Sequence, residues 1–227
     1  MDEVRVIPVA GIPEIGPGDD VAAAIVERLP EPLVDGDVLV VTQKVVSKAE
    51  GRIVPGSERA AAIATETARV LRRSGSMTIA ETRHGFVCAN AGVDASNVAG
   101  DAIALLPLDP DASARGIRSR VAHLTGADVA VVVTDTFGRA WRLGQTDVAI
   151  GVAGMEPFVD YRGRTDPFGH ELNATRICAA DELAGAAELV MGKTEGICAA
   201  VIRGAAIRRG RGSAAEIVRP PAEDLFR

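Results

Sequence analysis

Two aspartates stand where carboxylates can do chemistry. Asp94, in GVDASN, and Asp135, in VVVTDT, each close a β-like segment, the first in a Gly-Ala-Asn turn and the second directly behind an apolar run. Side chains at such positions project into a cleft. Joined by the hydroxyl of Thr134 or Thr136, they would offer the hard oxygen ligands that Mg²⁺ or Mn²⁺ takes when nucleotide phosphates complete its shell. An aspartate after a strand also serves as a cap or turn residue that bonds nearby amides, so both readings stand for each residue alone.

Cationic groups suited to anions occur in three further places. Thr42, Gln43, Lys44, Ser47 and Lys48 follow an apolar run, where two ammonium groups and two hydroxyls could meet a phosphate or lie solvated on a surface. The loop Met191-Gly192-Lys193-Thr194-Glu195-Gly196 resembles half of a phosphate-binding P-loop, but Ala187 occupies the position of the first glycine. A Walker A site is therefore excluded, although the loop could still hold phosphate. Arg139 and Arg142 flank Trp141, the single tryptophan. Their guanidinium forks match a carboxylate or phosphate, and they could equally stack on the indole as packing. His84 has the right range to titrate near neutrality, yet a turn histidine is ordinarily just hydrogen-bonded, and it is assigned no role.

The elements that must carry these residues follow from hydrophobic period and punctuation. Val4 to Val9 and Val38 to Thr42 read as strands, the second as one covered on both faces. Asp19 or Asp20 caps a helix running to about Arg28, and Ser57 caps another through Arg73. A hairpin is predicted from Met77 to Ala89 around Thr82-Arg83-His84-Gly85. Asp109-Pro110 opens a helix to about Leu124 that Gly126 stops, followed by a strand from Val129 to Thr134 that ends at Asp135. From Gly138 to Gly169 only Val148 to Val152 reads as regular structure, so the rest is expected to be functional loop. Ala174 to Met191 reads as an amphipathic helix and Ile197 to Ile202 as the last strand, with an irregular tail from Gly210. Strands and helices without a regular βαβ period give an α+β class, mixed sheets with helices in two closely packed lobes.

Composition bounds the function. A chain of 227 residues, 47% hydrophobic and 25% charged, can bury a core. A net charge of -6 and a pI near 5.2 give no general attraction to nucleic acid or anionic membrane. The run Arg203, Arg208, Arg209, Arg211 is expected to be a solvated loop. Cys88, Cys178 and Cys198 lie in apolar surroundings, which suits buried thiols in a reducing compartment. No apolar run nears the roughly 18 residues of a membrane span, and the N-terminal segment has acids and prolines where a signal peptide is continuously apolar. A soluble, cytoplasmic protein is expected.

Six segments, AGIPEI, GDVLVVTQKVVSKAEGR, TRHGFVCANAGVDASNV, VVVTDTFGRAWRLGQTDVAIGVAG, DELAGAAELVMGKTEG and RPPAEDLFR, run in order along nearly the whole chain. Together they resemble the coenzyme F420:L-glutamate ligase (F420-0:gamma-glutamyl ligase) family. That resemblance implies a single ligase domain over 1–227 and a GTP-dependent reaction through an acyl phosphate. L-glutamate would join the lactyl carboxylate of the deazaflavin F420 precursor by an amide bond, with later residues γ-linked. It implies two divalent cations, Mg²⁺ or Mn²⁺, with K⁺ as a further ion. Asp94 and Asp135 would hold the first divalent cation, and Thr136 with Glu195 the second. The nucleotide would lie against Ile12, Pro13, Glu14, Ile15, Gln43, Lys48, Asn97, Lys193, Thr194 and Gly196, so Lys48, Asp94 and Asp135 form the expected catalytic set. Longer relatives carry an additional flavin-binding domain after the ligase domain; the given sequence ends at Arg227, so no flavin is expected. A homodimer is also implied. A ligase acting on another carboxylate and a non-catalytic GTP sensor remain as alternatives.

Overall fold

The computed structural model describes residues 3–225, so Phe226 and Arg227 of the last motif lie outside the described residues. In chain order the elements are β1 (Arg5–Pro8), α1 (Val21–Val26), β2 (Val38–Thr42), α2 (Gln43–Ala49), β3 (Ile53–Pro55), α3 (Arg59–Glu66), β4 (Thr67–Ser74), β5 (Met77–Thr82), β6 (Val87–Ala89) and β7 (Ala102–Ala104). Then come α4 (Pro110–Thr125), β8 (Ala130–Arg139), β9 (Arg142–Ala153), β10 (Phe158–Asp160), β11 (Arg176–Cys178), α5 (Ala179–Met191) and β12 (Ala199–Arg203). The class is α+β, with mixed and antiparallel sheets, as the sequence predicts.

A five-stranded sheet in the order β1-β12-β2-β8-β9 forms the centre. Only β2 and β8 run parallel within it, with Thr42 level with Thr134. The continuous apolar run of β2 has a simple cause. Leu39 and Val41 join Val131 and Val133 in a core with residues of α1, α2 and α4. Val38 and Val40 join Ala130 and Val132 in another with Leu183, Ala187 and Met191 of α5. Alternate side chains of one strand thus serve opposite faces, and polar residues fit neither. Gly151 lies where α4 meets β9, and a Cβ there would sit 2.2 Å from the Pro110 carbonyl oxygen.

A smaller core, Ala62, Val93, Ile103 and Leu105, lies under α3 and the β3-β7 pair, beside the β4-β5-β6 sheet. Glu66, at the end of α3, is 3% exposed. It pairs with Arg52 at 2.9 Å and with Arg83 at 3.1 Å, tying α3 to the approach to β3 and to the β5-β6 turn. The pairing compensates a carboxylate that would otherwise be costly to bury.

Several predicted boundaries move. The helix expected from Ser57 to Arg73 ends at Glu66, and Ser57 lies in a 3-10 turn before it. Thr67 onwards pairs instead with β5, where cross-strand hydrogen bonds outweigh local helix preference. The strand expected to stop at Asp135 continues to Arg139 and turns into β9, so Gly138 to Ala153 is mostly a long hairpin, not loop. The helix expected from Ala174 begins at Ala179, because Arg176–Cys178 pairs with Phe158–Asp160. Helix α4 agrees closely: Asp109 caps it by accepting from the Ala112 amide, and Gly126 closes it at φ 77°. Of the basic run, Arg203 pairs with Asp37 and Glu31, and Arg209 with Asp128. Among the described residues no helix is long and apolar enough to cross a membrane.

Candidate functional site

Strand β2 passes into α2 without an intervening loop. Thr42 is the N-cap by backbone conformation, although its side chain makes no capping bond. The helix sorts the polar residues of this segment by period. Gln43 and Ser47, four apart, are buried, and the Ser47 hydroxyl donates to Gln43 Oε1 at 2.7 Å. Lys44 and Lys48, also four apart, share the other face. Their side chains are mostly covered, and both ammonium groups line a cavity of about 500 Å³. Ile12 to Ile15, Asn97, Lys193 and Gly196 line the same cavity. Lys48 pairs with Glu14 across it at 2.5 Å.

The turn before Asp94 is held by left-handed residues. Asn90, Ala91 and Gly92 all have positive φ, and a Cβ on Gly92 would meet Leu106 Cγ at 2.7 Å. The chain then reverses, and Asp94 exchanges two backbone hydrogen bonds with Ala104. Its carboxylate accepts from Lys44 Nζ at 2.8 Å and from the Ser96 hydroxyl at 2.5 Å. Burial pushes its pKa up, but the Lys44 and Ser96 hydrogen bonds outweigh that and hold it down at about 2.

Asp135 is the opposite case. It projects from the middle of β8, is 8% exposed, and has no ion-pair partner among the described residues. Burial raises its pKa to about 6 against the pull of Lys44, and the charges of Asp147 and Asp94 act in the same direction as burial. The β8-β9 hairpin sets Thr136 opposite Asp147. Asp147 is 2% exposed and accepts from Thr136 at 2.6 Å, Thr134 at 3.1 Å and Lys193 Nζ at 3.0 Å. Lys193 also donates to Thr136 Oγ1 at 2.5 Å.

Asp94, Asp135 and Thr136 line a second cavity, also of about 500 Å³. The two cavities share Lys44, Asn97, Thr136 and Lys193 as a common wall. The donor set fits a hard divalent cation: two carboxylates and a hydroxyl, with Lys44 balancing the charge of Asp94 and Lys193 donating to the Thr136 hydroxyl. Among the described residues no three acidic, histidine or cysteine side chains converge as a metal cluster. An ion here would draw its remaining ligands from a substrate, as Mg²⁺ commonly does with phosphates.

The structure gathers most of the predicted residues but not all. Gln43 lies beneath the first cavity in the core, its Nε2 buried without a partner. Thr194 and Glu195 line neither cavity, and Glu195 accepts from the Thr194 amide at 3.0 Å and its hydroxyl at 2.8 Å. Arg139 and Arg142 sit exposed near the β8-β9 turn and line neither cavity; Arg139 donates to the Leu143 carbonyl. His84 donates from Nε2 to the Pro107 and Leu108 carbonyls and stacks on Phe86. The three cysteines are unpaired, and burial raises each thiol pKa to about 11 or 12, so they are inert at neutral pH. Sequence reasoning missed Asp147 and Arg59, the latter lining the second cavity. Only the hairpin register, which sets Asp147 against Thr136, would have exposed the first.

The two adjoining cavities meet at two lysines, a threonine and an asparagine. The chain belongs to the F420-0:Gamma-glutamyl ligase family, whose profile matches residues 11–204. It is 41% identical to the coenzyme F420:L-glutamate ligase of Methanothermobacter thermautotrophicus, over 99% of this chain and 99% of that protein. It is 44% identical to the protein of that name from Archaeoglobus fulgidus, over 99% of this chain and 96% of the relative. The one from Methanocaldococcus jannaschii is 39% identical over 86% of each.

Proposed function

We propose that this chain is a GTP-dependent ligase of coenzyme F420 biosynthesis that adds L-glutamate to the deazaflavin precursor. The first glutamate forms an amide with the lactyl carboxylate, and later ones are γ-linked. The observation that carries this reading is the shared wall of the two cavities. Lys44 and Lys48 present positive charge to the first, where a nucleotide's phosphates would lie, Thr136 stands at the border, and Asp94 and Asp135 line the second. The family relatives, named for glutamate ligation to F420, supply the substrates.

A carboxylate is a poor electrophile, so the acceptor carboxylate attacks the γ-phosphorus of GTP and GDP leaves. The amine of glutamate then attacks the acyl carbon, and phosphate departs with one oxygen of the original carboxylate. Lys48 and Lys44 hold the phosphate tail, and Lys193, anchored by Asp147, lies at the border where charge passes from nucleotide to acyl phosphate. Two divalent cations, Mg²⁺ or Mn²⁺, held by Asp94, Asp135 and Thr136 and by Glu195 once it releases Thr194, would neutralise phosphate charge, with K⁺ as a further ion. No flavin enters this scheme. The same reading takes the protein as a cytoplasmic homodimer built on one ligase domain.

An acceptor carrying ¹⁸O in the reacting carboxylate tests the intermediate. One labelled oxygen is expected in the released phosphate for each amide formed, read by mass spectrometry. Amide formation with unlabelled phosphate would rule out the acyl phosphate.

A further inference from the structure

A ligase of this kind must hold carboxylates that do not react. Incoming glutamate carries two, and an acceptor tail already bearing glutamate carries at least one besides its reacting group. A cation that is not already neutralised holds such a group most readily, because a guanidinium or ammonium paired within the protein has to loosen that pair first. The cations around the two cavities differ sharply in this respect. Lys44 is on Asp94 at 2.8 Å, Lys48 on Glu14 at 2.5 Å and Lys193 on Asp147 at 3.0 Å. Arg59 lines the second cavity, and its side chain makes no hydrogen bond or ion pair to any described residue.

Arg59 is the first residue of α3 and is half-buried, so its main chain is fixed by the Glu66 ion pairs and by the small core under that helix. Gln145, on β9, lines the same cavity with its amide group likewise uncommitted. Asp94 and Asp135 lie at the same cavity as these donors. We propose that the second cavity is the carboxylate site of the ligase, with Arg59 binding a non-reacting substrate carboxylate and Gln145 adding an amide donor beside it. The inference rests on the ligase reading above. A guanidinium fork suits a carboxylate bidentately, and half-burial strengthens the pairing relative to one in open water.

The carboxylate could come from the incoming amino acid or from the acceptor's tail, and steady-state constants for each substrate separate the two. Arg59→Ala is expected to raise the KM for L-glutamate about tenfold to a hundredfold, with the KM for GTP within about twofold of wild type. Arg59→Lys, which keeps the charge and loses the fork, should fall between the two. A rise confined to the acceptor's KM instead would keep the carboxylate site and assign it to the tail. A wild type that adds glutamate while Arg59→Ala and Arg59→Lys leave every KM unchanged would overturn this proposal alone. A wild type that adds no glutamate would remove the ligase reading, and this site with it.

Discussion

Replacing Asp135 with asparagine should lower glutamate transfer about a thousandfold or more while leaving the fold intact. Stabilising phosphate charge with a bound cation is worth several kcal/mol at the transition state, and losing a carboxylate ligand forfeits much of it. Stability should move the other way. The folded-state pKa of Asp135 is raised from 3.8 to about 6, mainly by burial, so the native protein binds this proton more tightly than the unfolded chain does. Its contribution to stability is complete below 3.8 and is lost as pH rises through about 6. Asparagine never ionises and avoids that loss. The metal-free variant should therefore melt higher than metal-free wild type at neutral pH, with the difference shrinking toward pH 4. Thermal melts at several pH values, beside turnover at neutral pH, check both halves. Undiminished turnover would remove Asp135 from the cation site.

Lys48→Ala should reduce kcat/KM for GTP about a hundredfold, chiefly through KM. Its side chain is 12% exposed and lines the first cavity from the same side of α2 as Lys44. A charged hydrogen bond to phosphate in such a setting is stronger than one in open water. The fold should hardly notice, because the partner Glu14 is 75% exposed and an exposed pair contributes under about 1 kcal/mol. Nucleotide titrations of a variant with wild-type melting temperature provide the measurement. An unchanged constant for GTP would place the nucleotide elsewhere.

The sequence made β2, α4 and the body of α5 legible because their signals are local and agree. The apolar run of β2, the Asp109-Pro110 start and Gly126 stop of α4, and the periodic stripe of α5 each follow from side-chain chemistry within a few residues. Helix α2 was not legible: it follows a strand directly, no side chain caps it, and Val45 and Val46 at its centre favour strands. Yet that helix is what sets Lys44 and Lys48 on one face. The β8-β9 hairpin was hidden for a different reason. Its Gly, Arg and Asp content reads as loop, and only pairing with a distant segment makes it a strand. Asp147 went unread with it. The arginines around Trp141 drew notice by their spacing, whereas Arg59, alone in sequence, meets the cavity through tertiary folding.

The most direct test is mass spectrometry of the deazaflavin precursor after incubation with the wild-type protein, GTP, Mn²⁺ and L-glutamate. Mass gains in whole glutamate units, absent when GTP is omitted, are the predicted result. GTP binding without any gain in mass would contradict the ligase and leave a nucleotide-binding protein or one that acts on a different acid.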